Sequence, residues 1–150
     1  MGLQKDLKEF IESLNSKKAE YLVVGAHALA YHGHPRYTGD LDIAVRISSS
    51  NAKRVFEAVT AFGFGDVGLT EQDFLSSHQV VQLGVPPNRI DIIMSLDGLS
   101  FDEAWSARIE TTIDGIPVHM MSREHLIRNK KATGRPQDLA DIEALARKGT

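Results

Sequence analysis

The chain has 150 residues, 42% hydrophobic and 25% charged, with a formal net charge of −3. Such a chain can bury one core without staples, and its near-neutral balance gives no global field that favours nucleic acid. With no cysteine, disulfides, zinc–thiolate sites and thiol nucleophiles are excluded.

The first ten residues are charged where a secretory signal would be apolar. The longest apolar runs, such as residues 21–31, are too short to cross a bilayer. A cytoplasmic protein with no membrane partner is expected. No internal repeat, low-complexity tract or dividing linker is present, so one domain over residues 1–150 is expected.

Leu3, Leu7, Phe10, Ile11 and Leu14 recur at helical spacing and predict an amphipathic helix. The run from Tyr21 to Val24 reads as a buried strand ending at Gly25, and Ala26 to Tyr31 as a helix. A strand over Leu41 to Ile47 follows, then a helix over Ala52 to Phe62 with Val55, Phe56 and Val59 inward. Gln79 to Leu83 and Arg89 to Met94 predict two antiparallel neighbours, separated by a loop that Pro86 and Pro87 enforce. A short helix is expected from Phe101 to Arg108. Asp114-Gly115 signals a hairpin between Ile109–Ile113 and Ile116–Met120, and Pro117 suggests that its second strand lies at an edge. Ser122 reads as an N-cap for a helix over Arg123 to Lys131 that Gly134 stops. Pro136 suits the first turn of a last helix, on which Leu139, Ile142 and Leu145 share a face. The fold class is therefore α/β, of the α+β type: a mixed β-sheet of four to six strands flanked by helices.

The chemistry concentrates between Tyr21 and Val45. Side chains alternate along a strand, so Asp40 and Asp42 share a side while Leu41 takes the other. Two carboxylates so placed repel, and a divalent cation relieves the conflict. Mg²⁺ suits carboxylate oxygens completed by water and phosphate. The strand–Gly25–helix turn lets an anion approach free backbone N–H groups at Gly25 and Ala26, although a plain tight turn has the same pattern. Asp91 is a lone acid in an apolar strand, and its burial calls for a partner. Arg89 is one candidate; a metal shared with Asp40 and Asp42 is the other. His27 lies near Gly25 and could touch phosphate or base, whereas His32 and His34 read as a polar loop at the site entrance. Arg128 to Lys131 forms a short basic stretch at a helix end.

Gly25-Ala26, the Asp40-Leu41-Asp42 pattern and the later Asp91 together resemble the signature of the nucleotidyltransferase (polymerase-β-like) superfamily: a Gly-Gly or Gly-Ser turn, then h-D-x-D-h, then h-D-h. Here Ala26 stands where the second Gly or the Ser is usual. Arg36-Tyr37-Thr38-Gly39 before Asp40 is similar to the R-x-T-x-D-h-D run of small bacterial members. Residues 130–141 are similar to the K-x4-R-x-x-D-x-x-D stretch of AbiEii-toxin-like proteins. The resemblance spans Tyr21 to Leu145 and implies a nucleotidyltransferase fold. It further implies Mg²⁺-dependent transfer of a nucleoside monophosphate from an NTP to a hydroxyl acceptor (protein, tRNA or small molecule), with release of pyrophosphate.

In that reading Asp40, Asp42 and Asp91 are the catalytic and metal-binding acids. Gly25, Ala26, Arg36, Thr38 and Lys130 bind the nucleotide, with Lys130 as a cationic clamp on phosphate. A salt bridge to Asp40 or Asp42 is the alternative role for Arg36. Arg135, Asp138 and Asp141 are expected to be structural, with Asp138 and Asp141 pairing with bases such as Arg135. A competing reading, favoured by Ala26, is a catalytically silent binding module with a protein partner of toxin–antitoxin type. A metal-dependent phosphate hydrolase using the same acids is a third.

Overall fold

The computed structural model describes residues 5–34, 40–64, 68–85 and 89–148. Helix α1 (Lys5–Ser16) buries Leu7, Phe10, Ile11 and Leu14 completely; Leu3 falls outside the described residues. Strand β1 (Tyr21–Val24) is buried along its whole length and passes directly into the short helix α2 (Gly25–Tyr31). Strand β2 (Leu41–Val45) precedes helix α3 (Ser49–Val59), which starts three residues earlier than its apolar pattern suggests. The Ser48 hydroxyl moves the start, because it accepts from the Asn51 N–H as an N-cap. Helix α3 runs into a wide turn at Thr60–Phe64, broken at Gly63.

A 3₁₀ turn (Glu71–Phe74) leads to β3 (Val80–Leu83), followed by β4 (Ile90–Ile93) and α4 (Phe101–Ser106). The hairpin of β5 (Ile109–Ile113) and β6 (Ile116–Met120) turns through Asp114 and Gly115, both at positive φ (53° and 83°). That is the backbone a two-residue hairpin with right-handed strand twist requires. Helices α5 (Arg123–Thr133) and α6 (Pro136–Lys148) close the chain. Ser122 caps α5 by accepting from the His125 N–H, and Gly134, at φ 64°, ends it.

The six strands form one mixed sheet in the order β3-β4-β2-β1-β6-β5. Strands β2 and β4 are parallel, as are β1 and β6; the remaining neighbours are antiparallel. Helices α1 and α3 pack together, and on the opposite face α2 packs against α5, with α6 on α5. Leu41, Ile43 and Val45 are fully buried between the sheet and its helices. Among the described residues no helix is long and apolar enough to cross a membrane.

Two expectations are corrected. Strand β6 is not an edge strand, since it lies between β1 and β5. Pro117 is tolerated because β6 meets β1 only at Met120, opposite Val23. Farther along, the Pro117 carbonyl accepts instead from the Asn15 side chain at 2.7 Å, so on its β1 side that end of β6 has no ladder for proline to interrupt, while its other side pairs with Thr112 of β5. In α6, Leu139 is 54% exposed and does not share the buried face of Leu145. The inward positions are Asp138, Asp141, Ala144 and Leu145. Half of that face is acidic because it faces a buried lysine.

Candidate active site

The site is assembled where β1, β2 and β4 lie side by side. Val24 is the register partner of Asp42 in the antiparallel β1–β2 pair, and Asp42 is the partner of Asp91 in the parallel β2–β4 pair. The two acids, 49 positions apart in the chain, are thus adjacent across one sheet face. Asp40 stands one residue before β2, and its Oδ1 accepts from the Arg89 backbone N–H at 3.1 Å.

Gly25, the first residue of α2 after β1, has φ 66°, and a Cβ added there would fall on the Asp42 carboxylate. Any side chain at this position would therefore displace Asp42. For Gly25→Ala we expect about 1–2 kcal/mol from the left-handed backbone alone, with further loss from moving the acid. The measurement is thermal unfolding together with Mg²⁺ titration. An unchanged melting temperature and unchanged cation affinity would refute this packing argument.

Three carboxylates share this region with the guanidinium of Arg89. Burial, followed by repulsion from Asp91, a hydrogen bond with Asp91 and the charge of Asp40, pushes the Asp42 carboxyl up to about 6, against the opposing pull of Arg89. Arg89 donates from Nε to Asp91 Oδ1 at 2.9 Å and from Nη2 to Asp91 Oδ2 at 3.2 Å, and Nη2 lies 3.7 Å from Asp40 Oδ2. Of the two partners the sequence offers for Asp91, Arg89 is thus in place. Among the described residues, no three carboxylate or imidazole side chains converge as a closed metal cage. The donor set nonetheless fits a hard divalent cation. It is made of carboxylate oxygens, the atoms such a cation takes.

Beside Asp42 opens a cavity of about 180 Å³, walled on the far side by α5 and the start of α6. Gly25, Asn129, Lys130, Thr133 and Arg135 line it. Lys130 is only 7% exposed; its Nζ lies 3.0 Å from Asp141 Oδ2 and 3.6 Å from Asp138 Oδ1. Asp138 also accepts from the Thr133 hydroxyl at 2.6 Å and from Arg135 Nε at 2.8 Å. Burial raises the Asp138 carboxyl, but these bonds and the Arg135 charge outweigh it and hold the group well below the carboxylate range. Gln137 donates to Asp141 at 3.0 Å.

Ala26 occupies the first turn of α2, half-buried. Arg36 and Thr38 lie outside the described residues. His27 is buried and hydrogen-bonded to the Asp40 backbone, and burial lowers its pKa, so it is neutral near pH 7. It braces the approach to Asp40 from within the core. His32 contacts the Met121 carbonyl at 2.8 Å, and His34 lies 3.9 Å from Asp141. Asn129 and Thr133, both on the cavity wall, were not singled out from the sequence. Their spacing from Lys130, one turn or less on a helix, was the available signal.

The sheet order, the glycine turn and the acid pair define a nucleotidyltransferase fold. The chain belongs to a family described as nucleotidyltransferases of unknown function (DUF6036), whose model matches residues 2–147. It is also similar in structure to a "putative nucleotidyltransferase" from Thermotoga maritima. The TM-score is 0.60 at 14% identity, covering 94% of this chain and 88% of the other. No curated protein matches. These matches do not extend to the AbiEii-toxin-like group.

Proposed function

We propose that the protein transfers a nucleoside monophosphate from an NTP to a hydroxyl acceptor with the help of Mg²⁺. The observation that carries this reading is the adjacency of Asp42 and Asp91 beside a glycine turn and a polar cavity that Lys130 and Arg135 help to line. Asp40 and Asp42 would hold a cation on the triphosphate, with Asp91 as ligand to a second one or as base. When bound, the metal neutralises charge on the transferring phosphoryl group. The acceptor oxygen attacks the α-phosphorus, the bond to the pyrophosphate oxygen breaks, and the acceptor proton passes to Asp91. Lys130 and Arg135, on the cavity wall and each paired with a carboxylate, would turn to the triphosphate as cations. The small cavity orients the triphosphate against the acids.

The test is calorimetric titration of each NTP with Mg²⁺ into the wild type and Asp40→Asn. The expected result is Mg²⁺-dependent binding of at least one NTP, weakened about tenfold or more in the variant, for the loss of one charged ligand. NTP binding that ignores both Mg²⁺ and the substitution would overturn the proposal. Ala26, which lacks the Ser hydroxyl often found at this turn, favours the competing reading of a silent module with a protein partner. Mg²⁺-dependent pyrophosphate release by the isolated protein would exclude that reading.

A further inference from the structure

We propose that Arg89 is a tethered counter-cation that holds the acid site in the metal-free protein and competes with a divalent cation for it. The proposal rests on reading Asp40, Asp42 and Asp91 as cation ligands, and it concerns how that site is regulated. Arg89 is anchored at its backbone on both sides. Its carbonyl accepts from the Leu41 N–H at 2.9 Å, and its own N–H donates to Asp40. Its side chain is 30% exposed, so it has solvent to turn into. The guanidinium grips Asp91 with both prongs and lies near Asp40, but it makes no hydrogen bond to Asp42.

This arrangement explains why the three acids sit together without forming a closed cage. Two charge-assisted hydrogen bonds commit both oxygens of Asp91 to the arginine. A cation that takes Asp91 competes with the guanidinium for the same two oxygens and is repelled by its charge. Its apparent affinity is reduced by the fraction of molecules in which the arginine side chain has not turned out. The tether also stabilises the metal-free sheet, since without it Asp42 and Asp91 would face each other across adjacent strands with no cation between them.

The experiment is calorimetric titration of MgCl₂ and MnCl₂, without nucleotide, into the wild type, Arg89→Gln and Arg89→Lys, with thermal unfolding of each in chelator and in cation. Arg89→Gln is expected to bind cation roughly tenfold more tightly, the size of one strong ion-pair competition, while melting lower in chelator. Arg89→Lys keeps the charge but loses the two-pronged grip, and should fall between. It serves as the reporter if the glutamine variant does not fold without metal. Cation binding by the wild type that is unchanged or weaker in both variants would overturn the tether and leave the metal site standing. An absence of cation binding in all three would overturn the tether together with the metal-site reading.

Discussion

Replacing Asp141 with alanine is expected to destabilise the protein by about 2–4 kcal/mol, because it leaves a buried lysine short of its nearest carboxylate. Asp141 is fully buried, and Lys130 lies 3.0 Å from it. Asp138, at 3.6 Å, retains part of the compensation, which keeps the effect below a full unpaired charge. Urea unfolding gives the number, and a loss under about 1 kcal/mol would show that the pair is not energetically linked. The double variant Lys130→Met with Asp141→Leu should recover most of the stability, since a buried pair is often replaceable by apolar residues of similar size. If Lys130 also serves the triphosphate, that double variant folds well and still loses NTP affinity. The same cluster sets an acid limit. The folded-state pKa of Asp138 is depressed below its ordinary 3.8. Its contribution is therefore present above about pH 4 and is lost as pH falls toward the folded-state value.

The acids of the site were legible because each breaks a rule of its strand. Asp42 and Asp91 are carboxylates in otherwise apolar segments, and such segments must answer for a buried charge. That they are register partners was not legible, because strand order is a property of the whole sheet and β2 pairs with β4 across an intervening helix and β3. The role of α6 was misread for the opposite reason. Leu139 looked like a core position, but the helix turns Asp138 and Asp141 inward to meet Lys130. Hydrophobic periodicity assumes that the buried face is apolar, and it fails wherever an ion pair is the thing buried. Asn51 illustrates a related limit. Its fully buried amide accepts from the Glu20 N–H and donates to the Glu20 and Arg46 carbonyls, joining α3 to the ends of β1 and β2. Nothing in the run Ser48 to Ala52 distinguishes it from an ordinary first-turn residue.

Asp42→Asn is expected to make the metal-free protein more stable at pH 7 while abolishing its response to Mg²⁺. The sign follows from the direction of the shift. The Asp42 carboxyl is raised from 3.8 to about 6 in the folded state. The folded protein therefore binds this proton more tightly than the unfolded chain does. Stability falls as pH rises from about 4 to about 6 and stays low beyond, where Asp42 is ionised beside Asp91. Each pKa unit corresponds to about 1.4 kcal/mol, and partial exposure of the group discounts the total to roughly 1–2 kcal/mol. Asparagine removes the charge at nearly constant shape, and its amide can donate to Asp91. At pH 7 in chelator the variant should melt roughly 2–8 °C above the wild type, and the difference should vanish near pH 4. Mg²⁺ should raise the wild-type melting temperature by mass action and leave the variant nearly unmoved. A variant that melts lower than wild type at pH 7, or that gains as much from Mg²⁺, would mean that Asp42 is held by a partner other than a cation. Stability is then set against function at a single atom group: the charge that destabilises the sheet is the one that would bind the metal.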